Sequence, residues 1–372
     1  VTKKLKVLVA PLDWGMGHAT RCIPVINFLL QEGHDVVMAG EGEVANVLQQ
    51  NFPTVPTIPL EGYRIRYSRS KETFFLKIFA QVPRLIRAIL RERKWLQRCI
   101  SDYSFDLVIS DNRYGLYSGK VPCVILTHQL QILSGMGVVA NNLLRFLNYR
   151  LLQNFDACWV VDEPGDNGMG GELSHPRHLP NNSRYIGLLS QFKRCAGAPR
   201  KQDDDLILIL LSGPEPMRSI LEQKLLSQAS TLVGYQIVIA AGRPSASLPD
   251  ALPAHLTYFP FLNANRLADY LERASLVVCR SGYTTLMDLA LFGKKALLVP
   301  TPGQTEQEYL GSRLAEKGIC LARSQASVEL ANDIPLALTL AGFAGKEQIK
   351  RDERLREAIA DLVRVSPPIR MK

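Results

Sequence analysis

The sequence predicts an α/β protein made of two doubly wound domains. Three observations carry this. Short apolar runs end in small or polar turns and lead into stretches of helical spacing, and this alternation recurs along the chain. The length, 372 residues, exceeds what one ordinary core accommodates. The polar string KRCAGAPRKQDDD then interrupts the alternation near the middle. These place a first domain over 1–190, a linker over 191–205, a second domain over 206–345 and a closing helix over 346–372.

Taken in order, Leu5 to Ala10 is a strand, Pro11 to His18 the turn after it, and Ile23 to Leu30 a helix stopped by Gly33. Asp35 to Ala39 is the second strand, with a helix over Glu43 to Gln50. From Thr73 to Ile100 apolar residues recur at helical spacing with basic residues between them, and Pro83 is expected to break or kink the stretch into two helices. Asp106 to Ser110 and Val121 to Leu126 are strands; Asp111 and His128 lie just beyond their ends. Asn141 to Gln153 reads as an amphipathic helix and Ala157 to Val161 as a strand. Asp162 to Arg184, with four glycines and three prolines, reads as an irregular loop. His175 and His178 lie within it without a third ligand, so no metal is expected there.

The second half opens with the strand Leu206 to Leu211, and the acidic run Asp203 to Asp205 before it reads as linker. Ile237 to Ala240 and Leu256 to Phe259 are strands, and Phe261-Leu262 leads into a helix over Asn263 to Arg273. The most informative stretch runs from Leu276 to Gly318: strand, the turn Arg280-Ser281-Gly282, helix, glycine stop, strand, loop and helix. Gly282 permits close approach of a ligand to the backbone at a helix start, where anions sit well. Ligands of open α/β sheets bind at such strand ends.

Composition excludes several classes. Apolar content of 47% with 21% charged residues is that of a globular protein, and no apolar run approaches the roughly 20 residues that span a bilayer. The seven cysteines include no C-x-x-C pair and read as buried thiols of a reducing compartment. Between Arg64 and Arg98 stand eleven Lys or Arg against two Glu, which accounts for the whole net charge of +9. This segment is either a solvated helix face or a contact with an anionic membrane surface. Nucleic acid is not expected, because no recognised binding fold accompanies the charge.

The pattern R-S-G-x-x-T-x-x-D-x-x-x-x-G, a strand, Pro300 and then Gln307 closely resembles the donor-sugar signature of GT-B glycosyltransferases. It is similar in particular to that of the lipid-intermediate N-acetylglucosaminyltransferases of peptidoglycan synthesis and of the UDP-glucuronosyltransferases. The resemblance implies two Rossmann-like domains facing each other across a cleft. It implies transfer of a sugar from a nucleotide diphosphate, expected to be UDP, to an acceptor hydroxyl, by inversion and without metal or cofactor. A lipid or cell-envelope glycan is the acceptor class it suggests, and the cytoplasm or the inner membrane face the location. Donor contacts are expected from Ser212, Gly213, Arg218, Phe261, Leu262, Arg280, Ser281, Gly282, Thr285, Asp288, Gln307 and Glu308, with Asp288 on the ribose and Gln307 and Glu308 on the sugar.

In the resembled enzymes a glycine-rich loop ending in His occupies the first strand-to-helix turn. Here that makes His18 the expected general base, since an imidazole can take a proton from an attacking hydroxyl at neutral pH. A polar cap is the plain alternative. Asp13 is the expected orienter of the loop or of His18. Gly15, Gly17, Asp111 and His128 are the acceptor-side residues, the last two either functional or structural hydrogen-bond partners. Two departures stand out. Pro214 and Pro216 remove N–H donors from the phosphate loop, and Gln307-Glu308 with Gly311 replace the family's paired glutamines and Asn. A nucleotide-sugar 2-epimerase of the same fold, or a non-catalytic nucleotide-sugar-binding protein, are the alternative readings.

Overall fold

A computed structural model of the chain describes the backbone of residues 3–13, 15–63, 71–192, 202–243, 248–249, 251–345 and 349–365. Part of the expected linker (193–201), the start of the basic segment (64–70) and the tail from 366 lie outside the described residues. Apart from Lys71, the first of two compact units takes in the described residues as far as Gln191 together with 349–365, and the second those from Phe192 to 345.

The first unit runs β1 (Lys6–Pro11), α1 (Met16–Gln31), β2 (Asp35–Gly40), α2 (Gly42–Asn51), β3 (Thr57–Pro59), α3 (Lys71–Tyr103), β4 (Leu107–Asp111), β5 (Cys123–Thr127), α4 (Val138–Leu152), β6 (Ala157–Val160) and β7 (Ser183–Tyr185). Its strands form one parallel sheet in the order β3-β2-β1-β4-β5-β6-β7, so the order reverses beside β1. The central strands are apolar on both faces because helices cover both, as buried parallel sheets require. Leu8, Val37, Val108, Ile125 and Val160 lie in one core with Leu96 and Ile100 of α3.

The expected break at Pro83 is corrected: α3 continues through it as one helix. A proline costs roughly 3 kcal/mol inside a helix. Burial of Ala88, Leu96, Cys99 and Ile100 further along anchors α3 enough to offset that. The short edge strands β3 and β7 lie in Pro-bearing or polar stretches that carry no strand pattern; Arg184, expected in a loop, belongs to β7.

The second unit runs β8 (Asp203–Leu210), α5 (Met217–Thr231), β9 (Gln236–Ala240), β10 (Leu256–Phe259), α6 (Ala264–Arg273), β11 (Ala274–Cys279), α7 (Tyr283–Phe292), β12 (Lys295–Leu298), α8 (Thr305–Glu316), β13 (Leu321–Ala322) and α9 (Leu330–Thr339). Its parallel sheet has the order β10-β9-β8-β11-β12-β13. The acidic residues expected in the linker instead open β8, where Asp203 pairs with Ala274 of β11 and its carboxylate takes Arg273 at 2.6 Å. Gly293 ends α7 in the left-handed conformation, as its place after the helix demands. The final helix, α10 (Ile349–Val365), belongs to the first unit, tied there by Arg184 to Glu357, Arg354 to Glu163 and Arg356 to Glu32.

Candidate functional site

In the first unit, the parallel register sets Pro11 at the end of β1 beside Asp111 at the end of β4, and Asp111 beside Leu126 of β5. Gly15 caps α1 with φ +95°, a conformation that disfavours any side chain, and turns the chain sharply into the helix. Gly17 and His18 therefore fall in the first turn of α1. The ring of His18 reaches Asp111: Nδ1 lies 3.2 Å from Oδ2. His18 keeps 15% of its side chain exposed while Asp111 is fully buried.

Arg21, one turn along α1, completes the cluster. Its Nε donates to Asp111 Oδ2 at 3.1 Å and Nη2 to Asp111 Oδ1. Nη1 lies 2.7 Å from Nδ1 of His128, the first residue after β5, and Nη2 lies 3.0 Å from Nδ1 of His18. Burial alone would raise the Asp111 pKa, but Arg21 and His18 outweigh it and hold the carboxyl down to about 2. The carboxylate is thus ionised and its charge shared. Sequence reasoning missed Arg21; its spacing of three from His18 on a helix is the signal that places both on one face.

Asp13 Oδ1 accepts the Tyr63 N–H at 2.9 Å, which ties the loop after β1 to the segment after β3. Nearby, Arg113 donates to Glu92 at 2.6 Å and Tyr63 to the same carboxylate at 2.7 Å, so Glu92 of the basic helix is an internal brace. Beside it runs a groove of about 620 Å³ lined by Glu61, Gly62, Tyr63, Arg84, Arg87, Leu90, Arg91 and Lys94. His175 is held by Ser174 Oγ and the Glu163 carbonyl and stacks on Tyr185. Among the described residues no cluster of His, Cys, Asp and Glu could hold a metal ion, and no helix is long and apolar enough to cross a membrane.

In the second unit the expected donor residues gather at the carboxyl ends of β8, β10, β11 and β12. Ser212 and Gly213 follow β8, and Gly213 adopts φ +102°. A Cβ built there would sit 3.4 Å from Thr301 Oγ1 and 3.8 Å from Arg280 Nε. Those two atoms are buried and have no hydrogen-bond partner among the described residues. The rest of the Arg280 guanidinium is occupied: it donates to the carbonyls of Val299, Pro300 and Met217 and to Gln325. Burial lowers its pKa to about 10, which leaves it charged at neutral pH.

Arg218, expected to add charge beside the phosphates, is instead buried against Glu215, Glu222 and the Ala241 carbonyl. Its charge is already neutralised by its own helix and loop. Ser281 Oγ donates to the Gln307 carbonyl. Gln307 Oε1 accepts the Thr301 N–H at 2.9 Å and Glu308 Oε1 the Gly303 N–H at 3.0 Å, so both side chains brace the loop before α8. Gly282 caps α7 at φ −70° with nothing within 4 Å of a built Cβ. Neither backbone conformation nor packing requires glycine there. Thr285 is half-buried and Asp288 buried on α7; after β10, Phe261 is exposed and Leu262 buried.

Comparison with known proteins matches residues 218–359 to the glycosyltransferase family 28 C-terminal domain and residues 6–134 to glycosyl transferase family 1. A transferase of Pasteurella multocida named UDP-N-acetylglucosamine--N-acetylmuramyl-(pentapeptide) pyrophosphoryl-undecaprenol N-acetylglucosamine transferase is 25% identical, with 88% of this chain and 86% of the relative covered. An uncharacterised glycosyltransferase of Methanosarcina acetivorans is also 25% identical, over 84% and 82%. Among solved structures, the spinosyn rhamnosyltransferase SpnG complexed with thymidine diphosphate shares the fold at a TM-score of 0.61 and 15% identity, over 98% and 97%.

Proposed function

We propose that this chain, which belongs to the GT-B glycosyltransferase superfamily, moves a sugar from a nucleoside diphosphate to an acceptor hydroxyl that His18 deprotonates. UDP is the expected carrier. The relative from Pasteurella multocida is named for a UDP-sugar and the SpnG structure holds thymidine diphosphate, both pyrimidine nucleotides. The observation that carries the reading is the seating of His18. One ring nitrogen faces a buried, ionised Asp111 while the ring remains partly exposed at the loop after β1.

With Nδ1–H donated to Asp111, Nε2 takes the acceptor proton, and the carboxylate stabilises the imidazolium that forms. The acceptor oxygen then bonds to the anomeric carbon as the bond to the diphosphate oxygen breaks. The electron pair leaves on the nucleoside diphosphate, and the anomeric configuration inverts. Ser212, Gly213 and the N-terminus of α7 at Gly282 would meet that leaving charge, as helix starts and outward amides do. Arg280 Nε and Thr301 Oγ1 add two donors beside Gly213. Asp288 is assigned to the ribose, and Gln307 and Glu308 shape the sugar side through the loop they brace. A lipid-linked or cell-envelope glycan is the proposed acceptor class, in line with the name of the Pasteurella relative. The basic face of α3 is the proposed contact with an anionic membrane surface on the cytoplasmic side.

The test is thermal stabilisation by UDP, dTDP, GDP, CMP and NAD. A rise in Tm selective for UDP or dTDP supports the donor assignment and chooses between them; no rise with any nucleotide overturns it. His18→Gln should keep that rise while slowing nucleotide release from the sugar donor and acceptor by about 10²–10⁴.

A further inference from the structure

Arg21 sits between two histidines and one carboxylate and is 1% exposed. A guanidinium donates five N–H groups and accepts none. His128 Nδ1, at 2.7 Å from Nη1, must therefore accept, which puts the ring proton of His128 on Nε2. His18 Nδ1 has a choice: it accepts from Arg21 Nη2 at 3.0 Å or donates to Asp111 Oδ2 at 3.2 Å. In the first arrangement His18 Nε2 carries the proton; in the second it is free to take one. Arg21 remains bonded to both oxygens of Asp111 in either case, so the carboxylate stays in place while the His18 proton shifts. The titratable groups of this cluster come from three elements: His18, Arg21 and Cys22 on α1, Asp111 on β4, and His128 after β5. Burial and the neighbouring Asp111 push the Cys22 thiol up, so it does not compete for the proton.

We infer that Arg21 is a positioning residue of the transfer: it clamps Asp111 against His18 Nδ1 and fixes His128 as an Nε2–H donor. This rests on His18 being the base. Only a planar fork serves these three partners at once; a lysine ammonium is a point charge that keeps the ion pair and loses the geometry.

The experiment uses the full chain labelled with ¹⁵N-histidine, with the two rings assigned through His18→Gln and His128→Gln. The wild type is expected to show His128 protonated at Nε2 with a hydrogen-bonded, unprotonated Nδ1. Arg21→Lys should convert this to a mixture of tautomers. It should also lower kcat with a UDP-sugar at least about tenfold, with KM for the donor unchanged. Arg21→Met is the stronger variant, and Arg21→Lys keeps the test open where the loss of charge prevents folding, checked by circular dichroism. His128 protonated at Nδ1 in the wild type, or a folded Arg21→Lys with wild-type tautomers and kcat, overturns the inference. The expected tautomers, lost in Arg21→Lys, support the clamp even where UDP-sugars go unconverted, an outcome that sinks the donor reading instead.

Discussion

The two strand-end sites are built from different material. At the end of β1, β4 and β5 the first unit assembles charged and titratable side chains, each hydrogen-bonded to the next: His18, Asp111, Arg21 and His128. At the end of β8, β11 and β12 the second unit offers glycines, a helix start and the polar atoms Arg280 Nε and Thr301 Oγ1, which have no partner among the described residues. Its charged side chains Arg218 and Arg280 are largely spent on the protein itself. The difference fits the proposed division of labour. A proton acceptor needs a defined tautomer, which only fixed side-chain partners supply. A diphosphate carries its own charge and needs donors within reach, which backbone amides supply without desolvating a second ion.

This contrast can be broken from either side. The largest effect is expected from Asp111→Asn, which leaves Arg21 buried without its counter-charge. Urea unfolding at pH 7 should show a loss of about 3–5 kcal/mol. The pH dependence has a definite sign. The folded-state carboxyl is held down to about 2 against an ordinary 3.8, so the wild type holds this contribution above about pH 4 and loses it as pH falls towards 2. The gap between wild type and Asp111→Asn should therefore narrow over that window; a gap independent of pH would show that the carboxylate is not stabilised in the fold.

In the second unit, Gly213→Ala and Gly282→Ala form a matched pair. Gly213 stands at φ +102°, so alanine there should cost about 1–3 kcal/mol of stability, read from thermal or urea unfolding, and weaken nucleotide binding. Gly282 has an ordinary φ and open space, so alanine should change stability by no more than about 1 kcal/mol. Calorimetric titration with UDP should nevertheless show weaker binding if a ligand fills that space. Equal affinity in wild type and Gly282→Ala would remove the start of α7 from the donor site. The smallest effect belongs to Thr301→Val. Its hydroxyl has no partner among the described residues, so folding should be nearly unchanged. UDP affinity should drop by about 2- to 12-fold, one hydrogen bond's worth. A variant that binds as tightly as the wild type would dismiss Thr301 Oγ1 as a phosphate donor.

The basic segment adds a related lesson. Its charge was evident from composition, yet part of it is paired within the fold, at the surface and beneath it. Arg91 meets Glu61 at 3.1 Å, and Glu92, one of only two acids between Arg64 and Arg98, holds Arg113 and Tyr63.

Much of this protein was decided by sequence alone. The alternation of apolar runs with helical spacing marks most of the central strands. The glycines at 15, 33, 213 and 293 all lie in turns and at helix ends, and His18 and the stretch from Leu276 to Gly318 stand out without any structure. These are local properties, set by dihedral preference and by periodicity over a few turns. What only the tertiary structure decided is which side chains meet. Asp111 lies 90 residues after Arg21 and reaches it because β1 and β4 are neighbours in the sheet. Asp13 meets Tyr63, and Arg218 meets Glu215 and Glu222. The continuity of α3 through Pro83 was likewise decided by the core it packs on. Strand order and register set those partners, and they depend on the burial of whole sheets, which no short window of sequence contains.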